Sequence, residues 1–317
     1  MRARTAATLG TLGVLAAIGG APGGSGRTAR AEDRPLAAVL LVEEGSALER
    51  EAATALRETL ARPGRRSFVV SEVAVGRGDD AVREAAARAM QEHPDVVVAI
   101  GPSIADEAAL TVRGSPVLRV VAGSRAPARG RAPAVSGSWL GESGLAEESR
   151  RIVPGARRLV WVGLPPDPAA ARGVELQSIV PKVPDPAARA RAVREMSSHD
   201  FDAVWLGEDV APEDVAAIAL ALEGTGLPLL GTLRTHLDRG AAVVVRCDPR
   251  DVGSLAAAAA AQLAASADPD AVTVRRVPAR RLREIDLGNA RRLGFAVPLT
   301  LLASADHVVP PPTPVRR

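Results

Sequence analysis

The chain has 317 residues, of which 47% are hydrophobic, which is enough to build one large domain or two lobes and excludes a disordered protein. Aromatic residues make up only 2%, so the core must be built from Ala, Val, Leu and Ile. The formal net charge of +3 does not predict nucleic-acid binding. Four arginines lie in the first 30 residues, ahead of a predicted cleavage site, and the remaining 36 basic residues balance 37 acidic ones.

The first 31 residues have the pattern of a cleavable signal peptide. Arg2 and Arg4 give a positive start, an apolar stretch runs from 5 to 21, and an A-x-A cleavage motif stands at 29–31. The alternative is an uncleaved membrane anchor, but 17 apolar residues interrupted by glycines are short for a span of about 20. We therefore predict a signal peptide over 1–31 and export of the mature chain.

Strands and helices then alternate through the first half of the chain. The strand segments are unbroken apolar runs, which are typical of a parallel sheet covered on both faces. The turn Gly101-Pro102-Ser103 joins one such strand directly to a helix. The predicted elements are a strand at 36–44, a helix at 46–61, a strand at 66–75, a helix at 79–93, a strand and helix within 95–110, and a strand at 115–124.

A segment rich in Arg, Ala and Pro, 125–137, lacks an apolar face and is predicted to cross to a second half of similar design. The strand, polar turn and Ala-rich helix at 202–220 repeat the layout of 95–110. The predicted elements of this half are a helix at 142–152, strands at 157–164 and 174–180, a helix at 186–198, a strand at 202–207, a helix at 212–225, a strand at 227–232, a strand ending at Cys247, a helix at 250–266, an extended segment, a closing segment at 287–309 and a Pro-rich tail at 310–317.

The sequence offers little support for an enzyme. It contains no nucleophile–base pair, metal-ligand cluster or Gly-rich phosphate loop, and the four histidines lie in unrelated contexts. Cys247 is the single cysteine, so an intramolecular disulfide is excluded, and its place after an apolar strand indicates a small buried hydrophobic residue. We therefore expect no catalytic residues, no metal site and no cofactor.

The closing segment, IDLGNARRLGFAVPLTLLASADHVV at 285–309, resembles the C-terminal signature of the type I periplasmic substrate-binding proteins of ABC importers, in the branch that includes tryptophan-type binding proteins. Other blocks are similar to that family in the same order along the chain. They include PDVVVAIGPSIADEA at 94–108, the run from AVSGSWLG to LVWVGL at 134–164, and FDAVWLGEDV at 201–210. Each motif is weak alone, and their order makes the resemblance specific.

The resemblance implies an α/β protein with two Rossmann-like lobes, each built on a parallel sheet, joined by a three-segment hinge. Lobe 1 is expected to hold 32–133 and 248–280, and lobe 2 to hold 134–246 and 283–309. It further implies a periplasmic protein that closes its cleft on a small solute, an amino acid or similar carboxylate-bearing compound, and delivers it to an ABC permease in the inner membrane. We expect a monomer with no nucleic-acid partner.

Loops at the carboxyl ends of the predicted strands are expected to line the cleft, because ligands of open parallel sheets bind there and helix N-termini favour anionic groups. Some assignments have structural alternatives. Ser46 also suits a helix N-cap, with Glu49 completing a capping box. Arg125 also suits a solvated position, and Asp209 also suits an N-cap. The candidate ligand-binding residues are Glu44, Ser46, Gly101, Ser103, Ser124, Arg125, Asp209 and Thr232.

One departure from the family concerns lobe 2. Between the strands at 157–164 and 174–180 the family has a full helix, whereas this chain has only PPDPAAARG at 165–173. Nine residues with three prolines are too few for a crossover helix. Lobe 2 is therefore predicted to be shortened. A degenerate relative that acts as a sensor or interaction module without a transport role stays open as an alternative.

Overall fold

The computed structural model describes residues 34–45, 47–62, 66–76, 78–122, 133–137, 144–166, 168–179, 186–197, 201–266, 268 and 280–311. The predicted signal peptide at 1–31 lies outside these residues, as do Ser46, Ser124, Arg125 and the tail from 312. The described residues from Pro35 on belong to one compact unit. Within the described ranges, no helix combines the length and the apolar character that a membrane span requires.

The first half of the described chain alternates strands with helices, as predicted. The elements are β1 Leu36–Glu43, α1 Ala47–Leu60, β2 Phe68–Val75, α2 Asp79–Gln91, β3 Val96–Ile100, α3 Ala105–Thr111, β4 Val117–Ala122 and β5 Ala134–Gly137. The strands pair in the order β2-β1-β3-β4-β5, and every described pair is parallel. The prediction of a parallel first sheet is confirmed.

Helices cover both faces of this first sheet. Successive side chains of a strand point to opposite faces, so each central strand must be apolar on both sides. Leu40 of β1 packs in one buried cluster with Leu56 of α1, whereas Leu41 packs in a second cluster with Val82 of α2. This two-sided burial explains why β1 and β3 are unbroken apolar runs.

The second half forms a larger sheet. Its elements are α4 Gly144–Ile152, β6 Arg158–Val162, β7 Glu175–Ile179, α5 Pro186–Ser197, β8 Ala203–Leu206, α6 Pro212–Ala221, β9 Leu229–Gly231, α7 Arg234–Asp238, β10 Val243–Cys247, α8 Pro249–Ala265, β11 Arg281–Asp286, α9 Leu287–Leu293, α10 Leu299–Ala303 and β12 His307–Val309. The strands pair in the order β12-β11-β10-β9-β8-β6-β7 across the described ranges. Only β10 and β11 pair antiparallel among them. The sheet therefore departs from the fully parallel expectation at one strand pair.

Helix α8 shows that the chain crosses between the two sheets three times. It follows β10 of the second sheet but packs against α1 and against strands β3, β4 and β5 of the first. The crossings lie between β5 and α4, at Asp248 between β10 and α8, and between α8 and β11. After the third crossing the chain enters the sheet at its carboxyl-terminal edge, where Arg281 pairs with Cys247, and this explains the antiparallel direction of β11.

Strand β5 differs from the sequence prediction. We predicted 125–137 as a crossing segment and placed the start of lobe 2 at 134, but β5 pairs with β4 and so belongs to the first sheet. Its Val135 is buried in the core. A strand of four residues is too short to show a period in the sequence, and the open edge of β4 supplies the hydrogen-bonding partner that makes it a strand.

The connection between β6 and β7 is as short as predicted. A single 3-10 turn, Pro168–Ala171, replaces the helix that the family has there, and Ala170 fills the core beneath it. The ring centroids of Trp161 and Trp205 stand 6.5 Å apart in the adjoining core. Both tryptophans are buried, and the burial of Cys247 confirms its prediction as a small buried hydrophobic residue.

Candidate functional site

The turns at the carboxyl-terminal edges of the two sheets carry most of the predicted ligand-binding residues. In the first sheet, Glu44 follows β1 and the turn Gly101–Ser103 follows β3. In the second, Asp209 follows β8 and Thr232 follows β9. Pairing in parallel with neighbouring strands brings the turns of each sheet to one edge. The structure therefore groups these residues by sheet, as the strand order predicts.

The turn after β3 is built around a carboxylate of the protein itself. Gly101 has a φ of +136°, and an added Cβ would stand 2.5 Å from Oε2 of Glu43 and 2.6 Å from its Cβ. The Ser103 N–H donates a hydrogen bond to Glu43 Oε2, at 3.3 Å. Glu43 is only 4% exposed. A ligand carboxylate was predicted to bind the N–H groups of this turn, but the Ser103 N–H already has an anionic partner.

The second sheet repeats this arrangement with Asp209. The Leu164 N–H donates to both carboxylate oxygens of Asp209, at 3.1 and 2.9 Å. Gly163 has a φ of +115°, and an added Cβ there would stand 2.6 Å from Asp209 Oδ1. The sequence predicts Asp209 as a ligand contact, with the N-cap of its own helix as the alternative, but α6 has Ala211 as N-cap, without a side-chain cap. Asp209 instead caps the shortened turn after β6.

The side chain of Thr232 points into the protein interior. Its side chain is fully buried, and its hydroxyl donates to the Leu206 carbonyl at 3.0 Å. Its backbone N–H donates to His236 Nδ1 at 3.2 Å, which requires that nitrogen to be unprotonated. This placement does not support the predicted contact between the Thr232 hydroxyl and a ligand.

His236 makes stability depend on pH. Burial lowers its pKa from 6.5 to about 4, and an interaction with the Val210 backbone offsets only part of this effect. Because the unfolded chain takes up the proton first, the stabilisation is complete above about pH 6.5 and is lost as the pH falls towards 4. Urea unfolding should show a free energy of unfolding about 2 kcal/mol lower at pH 5 than at pH 7.

A variant isolates this contribution. His236→Asn keeps an acceptor oxygen near the Nδ1 position but does not titrate, so its free energy of unfolding should change little between pH 7 and pH 5. The carboxylates with lowered pKa values, Glu148, Glu284 and Asp306, lose their contributions only below about pH 4.5. An unchanged pH dependence in the variant would exclude His236 as its origin.

Glu43 was not among the predicted site residues, although the sequence contains a signal for it. It ends β1 on the same face as Val39 and Leu41, so the strand period places its side chain inward. Its neighbour Glu44, which we did predict, is exposed. Among the other candidates, Ser46, Ser124 and Arg125 lie outside the described residues.

Comparison with known proteins yields matches only in structure: no family model matches the chain, and no curated protein matches its sequence. A solved ABC domain from Streptococcus pneumonia in complex with L-Trp has a TM-score of 0.61 at 16% identity, over 86% of this chain and 100% of its own. A periplasmic ribose ABC transporter protein from Conexibacter woesei has a TM-score of 0.59 at 14% identity, over 84% and 96%. The lac repressor bound to ONPG has a TM-score of 0.55 at 11% identity, over 78% and 81%.

These matches cover between 78% and 86% of the chain. The chain has the type I periplasmic binding protein fold. The resemblance found in the sequence motifs is confirmed at the level of the fold, and so is the α/β architecture with two lobes.

Two ion-pair clusters on β11 connect the segment after the third crossing to the segment that lies between the first and second crossings. Glu148 of α4 is fully buried and accepts hydrogen bonds from Arg281 at 2.8 Å and from Arg283 at 2.7 and 2.8 Å. Burial alone would raise the pKa of Glu148, but the bonds from the two arginines outweigh it and the net pKa is lowered. On the other face, Glu284 pairs with Arg246 and Arg234.

Proposed function

We propose that this chain is the periplasmic solute-binding component of an ABC importer. The observation that carries the proposal is the pair of sheets joined by three crossings, with turns from both sheets at their carboxyl-terminal edges. Support comes from the ribose ABC transporter protein and the L-Trp complex of the same fold, and from the sequence resemblance to tryptophan-type binding proteins. The signal-peptide pattern at 1–31 supports export.

The expected mechanism is closure of one lobe against the other about the crossings. Each lobe has its own helix-covered sheet, so it can rotate as a body while the crossing segments absorb the change in backbone angles. The solute binds between the strand edges, and the closed form docks on a permease in the inner membrane. The lobe boundaries of this proposal are those predicted, except that lobe 1 extends through β5 to Gly137. We expect a monomer without catalytic activity, cofactor or nucleic-acid partner.

The narrower prediction of an amino acid or similar carboxylate-bearing solute has less support. It depended on free N–H groups at the turn after β3, and the Ser103 N–H is bonded to Glu43. An amino acid stays within the proposal, since its ammonium group can face the acidic turn while its carboxylate binds elsewhere in the cleft.

Ligand-induced stabilisation tests the proposed function. The mature chain, starting at Glu32, is screened by thermal unfolding against amino acids, sugars, polyols, polyamines and small carboxylates. A solute at a hundred times its Kd should stabilise the folded state by about 2.7 kcal/mol, and the radius of gyration from X-ray scattering should fall as the cleft closes. The absence of any shift across the panel would contradict solute transport.

A second candidate is a sensor or interaction module without a transport role. The shortened connection at Pro168–Ala171 and the two turns filled by the protein's own carboxylates favour it. The lac repressor shows that this fold also serves proteins outside transport. Recovery of a permease with the mature chain from membranes, dependent on the solute, distinguishes transport from this alternative.

A further inference from the structure

A cavity of about 550 Å³ opens at the end of the second sheet opposite the candidate ligand-binding turns. Its walls come from α4, from the starts of β6 and β7, and from the turn before β7. Arg158 and Glu175 begin these two paired strands and so place the cavity at their amino-terminal edge. The cavity is therefore separate from the cleft proposed for the solute. Its lining residues are Arg150, Arg157, Arg158, Gly173, Val174 and Glu175.

The guanidinium group of Arg150 is held at the cavity wall by a neutral partner. Its Nη2 donates a hydrogen bond to the Gly173 carbonyl oxygen. An added Cβ at position 173 would stand 3.4 Å from Nη2 and 3.7 Å from Nη1, so the guanidinium lies directly against this glycine. The short connection between β6 and β7 runs alongside α4, since its 3-10 turn at Pro168–Ala171 packs on that helix. A carbonyl occupies one of the five guanidinium N–H donors and leaves the positive charge in place.

Arg157 brings a second guanidinium group to the same cavity. Its backbone N–H donates to the Asp202 carboxylate at 2.7 Å, whereas the residue itself is exposed. Within the part of the chain that the structure describes, no carboxylate forms an ion pair with Arg150 or Arg157. Arg283, in contrast, is bonded to a buried carboxylate of the same helix that carries Arg150. The two cavity arginines therefore keep charged donors that a ligand can use.

We propose that this cavity binds a phosphate group, whose oxygens accept hydrogen bonds from Arg150 and Arg157. A guanidinium donates two parallel N–H···O bonds to a phosphate, and a phosphate has enough oxygens to accept such pairs from two arginines. A carboxylate has only two oxygens and is satisfied by one arginine. Arg158 lines the cavity as well but has a further interaction of its own, so the site is assigned to the other two arginines.

Glu175 is the acidic residue among those that line the cavity. It is exposed at the start of β7 and, within the described ranges, forms no ion pair with the cavity arginines. A negative charge at this position opposes the binding of an anion, because like charges repel. The site therefore predicts effects of opposite sign on one affinity: removing an arginine weakens phosphate binding, and removing the charge of Glu175 strengthens it. This inference goes beyond the proposed function and does not depend on it.

Calorimetric titration of the mature chain with inorganic phosphate and pyrophosphate tests the inference, with succinate as a dianion that carries only carboxylates. We expect both phosphates to bind about tenfold more tightly than succinate, and added salt to weaken their binding. Sedimentation with phosphatidylcholine vesicles that contain phosphatidate shows whether a lipid headgroup can supply the phosphate. Binding of neither the free phosphates nor the vesicles, or equally tight binding of succinate, would overturn the inference.

Three variants locate the site. Arg150→Gln and Arg157→Gln should each lower the affinity for pyrophosphate about tenfold, and Glu175→Gln should raise it about threefold. Arg113→Gln removes an exposed charge that follows α3 in the first half of the chain, and it should leave the affinity unchanged. The midpoint of thermal unfolding without ligand checks that each variant is folded. Pyrophosphate binding that is insensitive to both arginine variants would overturn the assignment.

The same variants separate this inference from the proposed function. Each substituted side chain lies at the amino-terminal edge of the second sheet or in the first half of the chain, away from the candidate turns. A solute found in the wider panel should therefore bind each variant as it binds the wild-type chain. Loss of pyrophosphate binding with solute binding intact supports a second site. Solute binding that falls together with pyrophosphate binding would overturn it.

Discussion

Replacing Glu148 by alanine is expected to lower the free energy of unfolding by about 3–5 kcal/mol in urea denaturation at pH 7. The carboxylate is fully buried between α4 and β11, and three hydrogen bonds from Arg281 and Arg283 hold it there. Removing it leaves the Arg283 guanidinium without its hydrogen-bonded carboxylate and leaves Arg281 with only its 3.4 Å contact to Glu147. The side chain of Arg283 is only 13% exposed, so solvent can replace the lost partner only in part.

The adjacent residue provides the control. Glu147 is on the same helix, its side chain is 56% exposed, and its contact with Arg281 is 3.4 Å. Glu147→Ala should change the free energy of unfolding by less than about 1 kcal/mol, as is usual for an exposed ion pair. The double variant Glu148→Met with Arg283→Met should recover part of the loss, because it removes one stranded charge and fills the space with apolar atoms. Equal effects of Glu148→Ala and Glu147→Ala would contradict the buried cluster.

The elements that could be predicted from the sequence are those whose own residues carry the signal. Strands β1 and β3 are buried on both faces, which selects unbroken runs of β-branched and aliphatic residues. Strand β5 carries no such signal, because its four residues follow an Arg- and Pro-rich segment and become a strand only by pairing with β4. The direction of β11 could not be predicted from the sequence either, since it depends on where the chain re-enters the sheet after the third crossing.

The candidate site shows the same division. Gly101 could be identified as a turn residue, because a strand meets a helix there without intervening sequence. Its reason for being glycine, the Glu43 carboxylate, comes from another strand 58 positions earlier and follows only from the pairing of β1 with β3. Thr232 was predicted as a ligand contact from its position in a turn, but its hydroxyl donates a hydrogen bond to the Leu206 carbonyl on the neighbouring strand. Side-chain direction at a strand end is set by partners distant in sequence.

The substitution Gly253→Ala is expected to destabilise the protein by about 1–3 kcal/mol, although alanine is the better helix former. Gly253 lies on α8 where this helix contacts α1. An added Cβ would overlap the Ala52 carbonyl oxygen and stand 2.9 Å from both Ala55 Cβ and Leu56 N. Two of these three atoms belong to the α1 backbone, so no side-chain rotation relieves the overlap. The helices must separate, and the packing of both against the first sheet is weakened.

The exposed position Ala258 on the same helix is the matched control, and thermal unfolding of both variants is the measurement. Ala258→Gly removes an exposed methyl group, so it should destabilise by about 1 kcal/mol through helix propensity. A methyl group should therefore stabilise α8 at 258 and destabilise it at 253. If Gly253→Ala instead stabilises the protein, α8 does not pack closely on α1. Because α8 lies between the second and third crossings, that result would also remove the main evidence that the chain returns to the first lobe.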